Sequence, residues 1–138
     1  MMVTKRSNRG ESKNYFKVML DGVEISGFER ISNLQSEIEV EFNDDNSDKI
    51  PGKSFCRNVI LHKKRTREQP FWNWLKDVQA GNLVKKNIQI ELIYRNKSLR
   101  GWNLVNCWPC RWSISDITND VMDTAEEIEL VVESIELI

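Results

Sequence analysis

Apolar and polar residues alternate with a period of two along most of the chain, the signature of half-buried β-strands. In the first such run Phe16, Val18 and Leu20 alternate with Lys17 and Met19, and Asp21-Gly22 then supplies a hairpin turn before Val23 to Ile25. From Leu34 to Phe42 the residues Leu34, Ser36, Ile38, Val40 and Phe42 fall on one face, and Gln35, Glu37, Glu39 and Glu41 on the other. Asn43 to Lys53 is rich in turn formers and reads as a long functional loop. A strand resumes at Phe55, with Phe55, Arg57, Val59 and Leu61 alternating with Cys56, Asn58, Ile60 and His62, and the basic cluster Lys63, Lys64, Arg65 and Arg67 follows.

Here the period changes. Phe71, Trp74, Leu75 and Val78 follow helical spacing, Thr66 can cap with Gln69 three residues on, Pro70 suits a first turn, and Gly81 ends the run. This predicts a helix over about residues 67–80. Alternation then returns: Ile88, Ile90, Leu92 and Tyr94, a turn at Arg95 to Ser98, then Trp102, Leu104, Asn106 and Trp108, extended by Trp112 and Ile114. In the last segment Ile128, Leu130 and Val132 keep one phase while Ile135 and Leu137 keep the other, which predicts a bulge near Ser134. Strands with a single helix and no repeat predict a mainly β fold, an antiparallel β-barrel or sandwich of two packed sheets with one flanking α-helix. Residues 15–138 read as one domain. Residues 1–14 are charged and nearly devoid of apolar side chains, and read as a polar N-terminal arm.

Charge and composition narrow the function. Twenty basic residues nearly cancel 21 acidic ones in a chain of 138, so no net field points towards nucleic acid or an anionic membrane. No apolar stretch approaches the roughly 20 residues of a membrane helix, and the first 13 residues lack the apolar centre of a secretory signal, so the reading is a protein of cytosolic origin with no membrane insertion. Three cysteines make a disulfide framework improbable in that compartment. Five tryptophans favour packing and contact surfaces over chemistry.

Candidate chemistry is sparse. Cys107-Trp108-Pro109-Cys110 has the spacing of a redox pair or half a zinc site, but Arg111-Trp112-Ser113-Ile114 reads as strand, so the helix that lowers the pKa of a redox thiol is missing. A zinc site would need Cys56 and His62 as well, and these stand about 20 Å apart if they share one strand. His62 is the only histidine, and no nucleophile turn accompanies it. Glu37, Glu39 and Glu41 are better read as a solvated or channel-lining row than as acid–base catalysts. The cluster from Lys63 to Arg67 lacks a recognition helix and reads equally as a subunit-contact patch. Phe71, Trp72 and Trp74 read as core or inter-subunit anchors. The expectation is no catalytic residue, no cofactor and no metal.

The ordered set Tyr15 to Val23, Gly27-Phe28, Leu34 to Phe42, Ile50-Pro51-Gly52-Lys53, Phe71-Trp72-Asn73-Trp74, Trp102 to Pro109 with Arg111-Trp112, and Glu126 to Leu137 resembles the tail tube family of contractile phages. Related inner-tube proteins belong to extracellular contractile injection systems and type VI secretion. The resemblance implies a structural subunit that forms hexameric rings stacked into a hollow conduit. Its implied partners are further copies of itself, contractile sheath and baseplate proteins, and cargo protein or DNA in the lumen. It implies assembly in the bacterial cytoplasm and a final place in a virion or phage-like particle. Glu37, Glu39 and Glu41 would line the lumen, with the apolar side of their strand in the barrel wall. Asn43, Asp44, Asp45, Asn46, Asp48 and Lys49 would form a ring-stacking loop. A baseplate-proximal initiator of the same family is the alternative, and a zinc-binding β-domain using Cys107 and Cys110 a more distant one.

Overall fold

A computed structural model of the chain describes residues 14–64, 69–115, 117, 119 and 125–138. Among them are β1 (Tyr15–Leu20), β2 (Val23–Ile25), β3 (Phe28–Ser32), β4 (Ser36–Phe42), β5 (Lys49–Cys56) and β6 (Val59–Lys64). There follow α1 (Pro70–Gln79), β7 (Lys86–Tyr94), β8 (Lys97–Ile114), β9 (Ala125–Val131) and β10 (Ser134–Leu137). The arm assigned to residues 1–14 lies outside the described residues except for Asn14, as do Arg65, Thr66 and Arg67.

The strands run in the order β2-β1-β7-β8-β9-β6-β3, every pairing antiparallel, with β10 added beside β8. The 18-residue β8 is the corner of the molecule. Its first part pairs with β7 and β10, its second with β9, so one strand serves two sheets. The turn is made at Asn106, whose φ of 53° is unusual for a residue with a side chain; its N–H reaches Asn87 Oδ1 (2.9 Å) and its amide group Glu133 (3.1 Å). The inward phase slips there: Leu104 faces the core, but next come Cys107 and Pro109 rather than Asn106 and Trp108. A register shift between Pro109 and Arg111 completes the bend.

Between the sheets lie Val18, Leu20, Ile88, Ile90 and Leu104 from one side and Val59, Leu61, Ile128 and Leu130 from the other. Helix α1 adds Phe71 and Trp74, with Phe71 edge-on to Phe28 and the Trp74 indole N–H donating to Val84 O at 2.8 Å. Two hairpin turns follow the expected chemistry, with positive φ at Asp21 and Gly22 and at Arg95 and Asn96.

The expected antiparallel sheets with one flanking helix are present, and among the described residues they do not close into a barrel, β2 and β3 each being paired on one edge only. Other expectations are corrected. The helix starts at Pro70 rather than near residue 67, where the ring's fixed φ presets the first turn, and Gln69 at the N-cap makes no side-chain cap. Lys49 to Lys53 is strand rather than loop, which reduces the connection to a turn from Asn43 to Asp48. Arg57-Asn58 breaks the run from Phe55 to His62, so Cys56 and His62 sit on separate strands of separate sheets. Near Ser134 the chain does not bulge but leaves β6 and moves from the second part of β8 to pair with its first part.

Candidate assembly surface

Among the described residues, strands β4 and β5 pair only with each other, as a two-stranded ribbon beside the main sheet. Leu34 and Cys56 at its root pack against the core. An isolated two-stranded ribbon is marginal in water. Its faces differ. One carries Glu37, opposite Phe55, and Glu41, opposite Ile50. The other carries Ile38, Val40 and Phe42, which are 58%, 65% and 64% exposed. Val40 stands opposite Pro51, extending the apolar stripe onto β5. The sequence reading places this apolar side in the barrel wall; in the single subunit it faces outward, with no strand among the described residues covering it.

The acidic row is not uniform. Glu37 is held by Arg57 through Nε (2.5 Å) and Nη2 (3.3 Å), while the Glu41 side chain lies over Gly52, where a Cβ would collide with it. Glu39 is exposed, beside a register shift between Ile38 and Val40. At the tip, Asn43 N–H donates to Asp48 O (2.8 Å) and Ser47 N–H to Asn43 O (2.9 Å), while Asn43 and Asn46 side chains accept from Asp45 N–H and Asp48 N–H. The turn satisfies itself and leaves the side chains of Asp44, Asp45, Asp48 and Lys49 exposed.

The three helix aromatics divide. Phe71 and Trp74 are 2% exposed and belong to the core. Trp72 is half-buried, its ring 4.7 Å from Trp112 and capped by Lys76 at 5.2 Å.

The candidate zinc ligands are not brought together, and among the described residues no three His, Cys, Asp or Glu side chains are arranged to hold a metal. Burial pushes the Cys107 thiol up to about 12, with the nearby Cys56 adding to the effect. Burial, then the Glu129 carboxylate, raises Cys110 as well. Both thiols are thus disfavoured as thiolates, the opposite of a redox pair.

A ladder of charges that sequence periodicity does not announce crosses β3, β6, β9 and β8. His62 meets Ser32 (3.2 Å) and Glu127 (3.4 Å), and Arg111 bridges Glu127 (3.2 Å) and Glu129 (3.0 Å), which also accepts from Asn58 (2.8 Å). Burial, then the Arg30 guanidinium, holds His62 below its usual 6.5. Hydrogen bonds from Asn58 and then Arg111 hold Glu129 below its usual 4.5. Both shifts mean that the unfolded chain takes up protons first, so stability falls as pH drops below about 6.5 and falls further below about 4.5. Thermal melts are expected to show both losses, and His62→Asn is expected to remove the upper one only.

Residues 12–137 match the family model described as T4-like virus tail tube protein gp19. No curated protein sequence matches the chain significantly. Among solved structures, a chain from the sheath–tube complex of the PVC extracellular contractile injection system in its extended state is similar at 23% identity and a TM-score of 0.75, covering 90% of this chain and 88% of its own. A chain of the six-fold symmetrised anti-feeding prophage baseplate follows at 19% identity and 0.66, with 92% and 93% covered. Hcp1 from Flavobacterium johnsoniae has 12% identity and 0.64, with 89% and 94% covered. These likenesses establish a shared fold.

Proposed function

The chain belongs to the tail tube protein family of T4-like viruses and is a structural tube subunit, and from that premise we propose how it builds the tube. Hexameric rings of the chain stack into the hollow inner tube of a contractile tail or injection system. The observation that carries this reading is the ribbon β4–β5, whose apolar face is exposed with no strand among the described residues to cover it. In a ring or stack, a neighbouring copy covers that face, and the contact is heterologous: protrusion on one copy, receiving surface on the next. The unpaired edges of β2 and β3 are also open to neighbours. The baseplate chain of similar fold comes from a six-fold assembly, which supports the ring number.

Glu39 and Glu41, with Glu37 tied to Arg57, line the lumen in this proposal, where a hydrated row of like charge resists adhesion of cargo protein or DNA. Sheath and baseplate proteins are the outer and terminal partners, assembly takes place in the bacterial cytoplasm, and no catalytic step is assigned. Thiols pushed towards the neutral form support that last point.

The exposed tip from Asn43 to Asp48 reaches the adjacent ring. Replacing these six residues with a two-residue Asn-Gly turn is expected to leave single rings intact and abolish stacking, as read by electron microscopy. Tubes of normal length from that variant would remove the stacking role from the tip.

A further inference from the structure

Beside the connection from β2 to β3, at Ser26 and Gly27, an open groove of about 690 Å³ is bordered by the start of β1. Its apolar lining includes Phe16, Phe28 and Leu92, and Glu24 of β2 and Glu29 of β3 line it as well. Neither carboxylate has an ion-pair partner among the described residues. Lys64 also reaches the groove, leaving two carboxylates against one ammonium. Asn14, the first described residue, is itself part of the lining, so residues 1–13 are joined to the chain at the groove's own rim.

That segment carries Lys5, Arg6, Arg9 and Lys13 against a single carboxylate, Glu11. We propose that it docks in this groove in its own subunit, with Arg9 answering Glu24 and Glu29. Five residue steps lead from Asn14 back to Arg9, about 17 Å when extended, and Asn14 lines the same groove as Glu24 and Glu29. Gly10 supplies the conformational freedom to reverse the chain over so short a distance. Tethering favours the chain's own arm over another copy's, because a short flexible link holds it at an effective concentration of about millimolar. The inference stands on the groove and the chain's charge, apart from the tube reading.

Zero-length carbodiimide coupling tests it, since that reagent joins an amine to a carboxylate only in direct contact. The full chain carrying Arg9→Lys keeps the charge and places an amine at position 9. A mixture of isotopically light and heavy copies separates coupling within a chain from coupling between chains. The expected product joins residue 9 to Glu24 or Glu29 within one chain, and the yield falls to background in Glu24→Gln/Glu29→Gln. Mixed-isotope products, products spread over other carboxylates, or no product at all while Lys86 still couples to its 2.6 Å partner Asp21 would each overturn the proposal.

Discussion

Val40→Asp is expected to abolish assembly while leaving the subunit folded. Val40 is 65% exposed between Ile38 and Phe42, so the isolated subunit loses no core contact when it becomes a carboxylate. In an assembly the same position is covered. Burying a valine contributes about 1.5–3 kcal/mol, which is lost, and an uncompensated carboxylate in an apolar contact adds a further penalty. With about 1.4 kcal/mol per factor of ten, each contact weakens by well over tenfold, and the loss repeats at every subunit. Sedimentation velocity reads the loss of rings or tubes, and circular dichroism reads the unchanged fold. Wild-type assembly by the variant would show that the apolar ribbon face is not a contact between copies.

Glu126→Ala is expected to act in the reverse manner, on the fold rather than on assembly. Lys63 and Glu126 are paired across β6 and β9 with side chains 2% and 7% exposed, 3.4 Å apart, and the Trp112 indole donates to the same carboxylate at 2.6 Å. Removing the carboxylate takes one charge-assisted partner from the buried Lys63 ammonium and the acceptor from the half-buried Trp112 indole N–H. The expected loss is about 2–4 kcal/mol, a fall in Tm of roughly 6–14 °C for a chain of this size. The neighbouring Glu127→Ala removes a carboxylate that is 41% exposed and is expected to change stability by less than about 1 kcal/mol. A similar small effect at both positions would mean that the buried pair contributes little to the fold.

What the sequence disclosed and what it withheld have physical reasons. The hairpins at Asp21-Gly22 and Arg95-Asn96 were legible because turn chemistry is local, and α1 because its four apolar residues share one face. Strand β3 was missed because its central Glu29-Arg30 hides the alternation; only Phe28 is fully buried there, and pairing with β6 makes it a strand. The phase slip at Asn106 depends on a backbone twist stabilised by Asn87 and Glu133, distant in sequence. Nor can periodicity show whether an alternating strand has a cover for its apolar face: β4 has the pattern of a half-buried strand, and its exposure appears only once β5 proves to be its one partner among the described strands. The pairing of Lys63 with Glu126 and the charge ladder from His62 to Glu129 join strands whose register must be known before the contacts can be.

The central claim is that copies of this chain close into rings and stack. Negative-stain electron microscopy of the purified, untagged chain across a range of concentrations, with mass determination on the same samples, tests it most directly. The account predicts rings of six subunits around an open centre, passing into hollow tubes as concentration rises. A single species of about 16.2 kDa at every concentration, with no ring or tube, would contradict it.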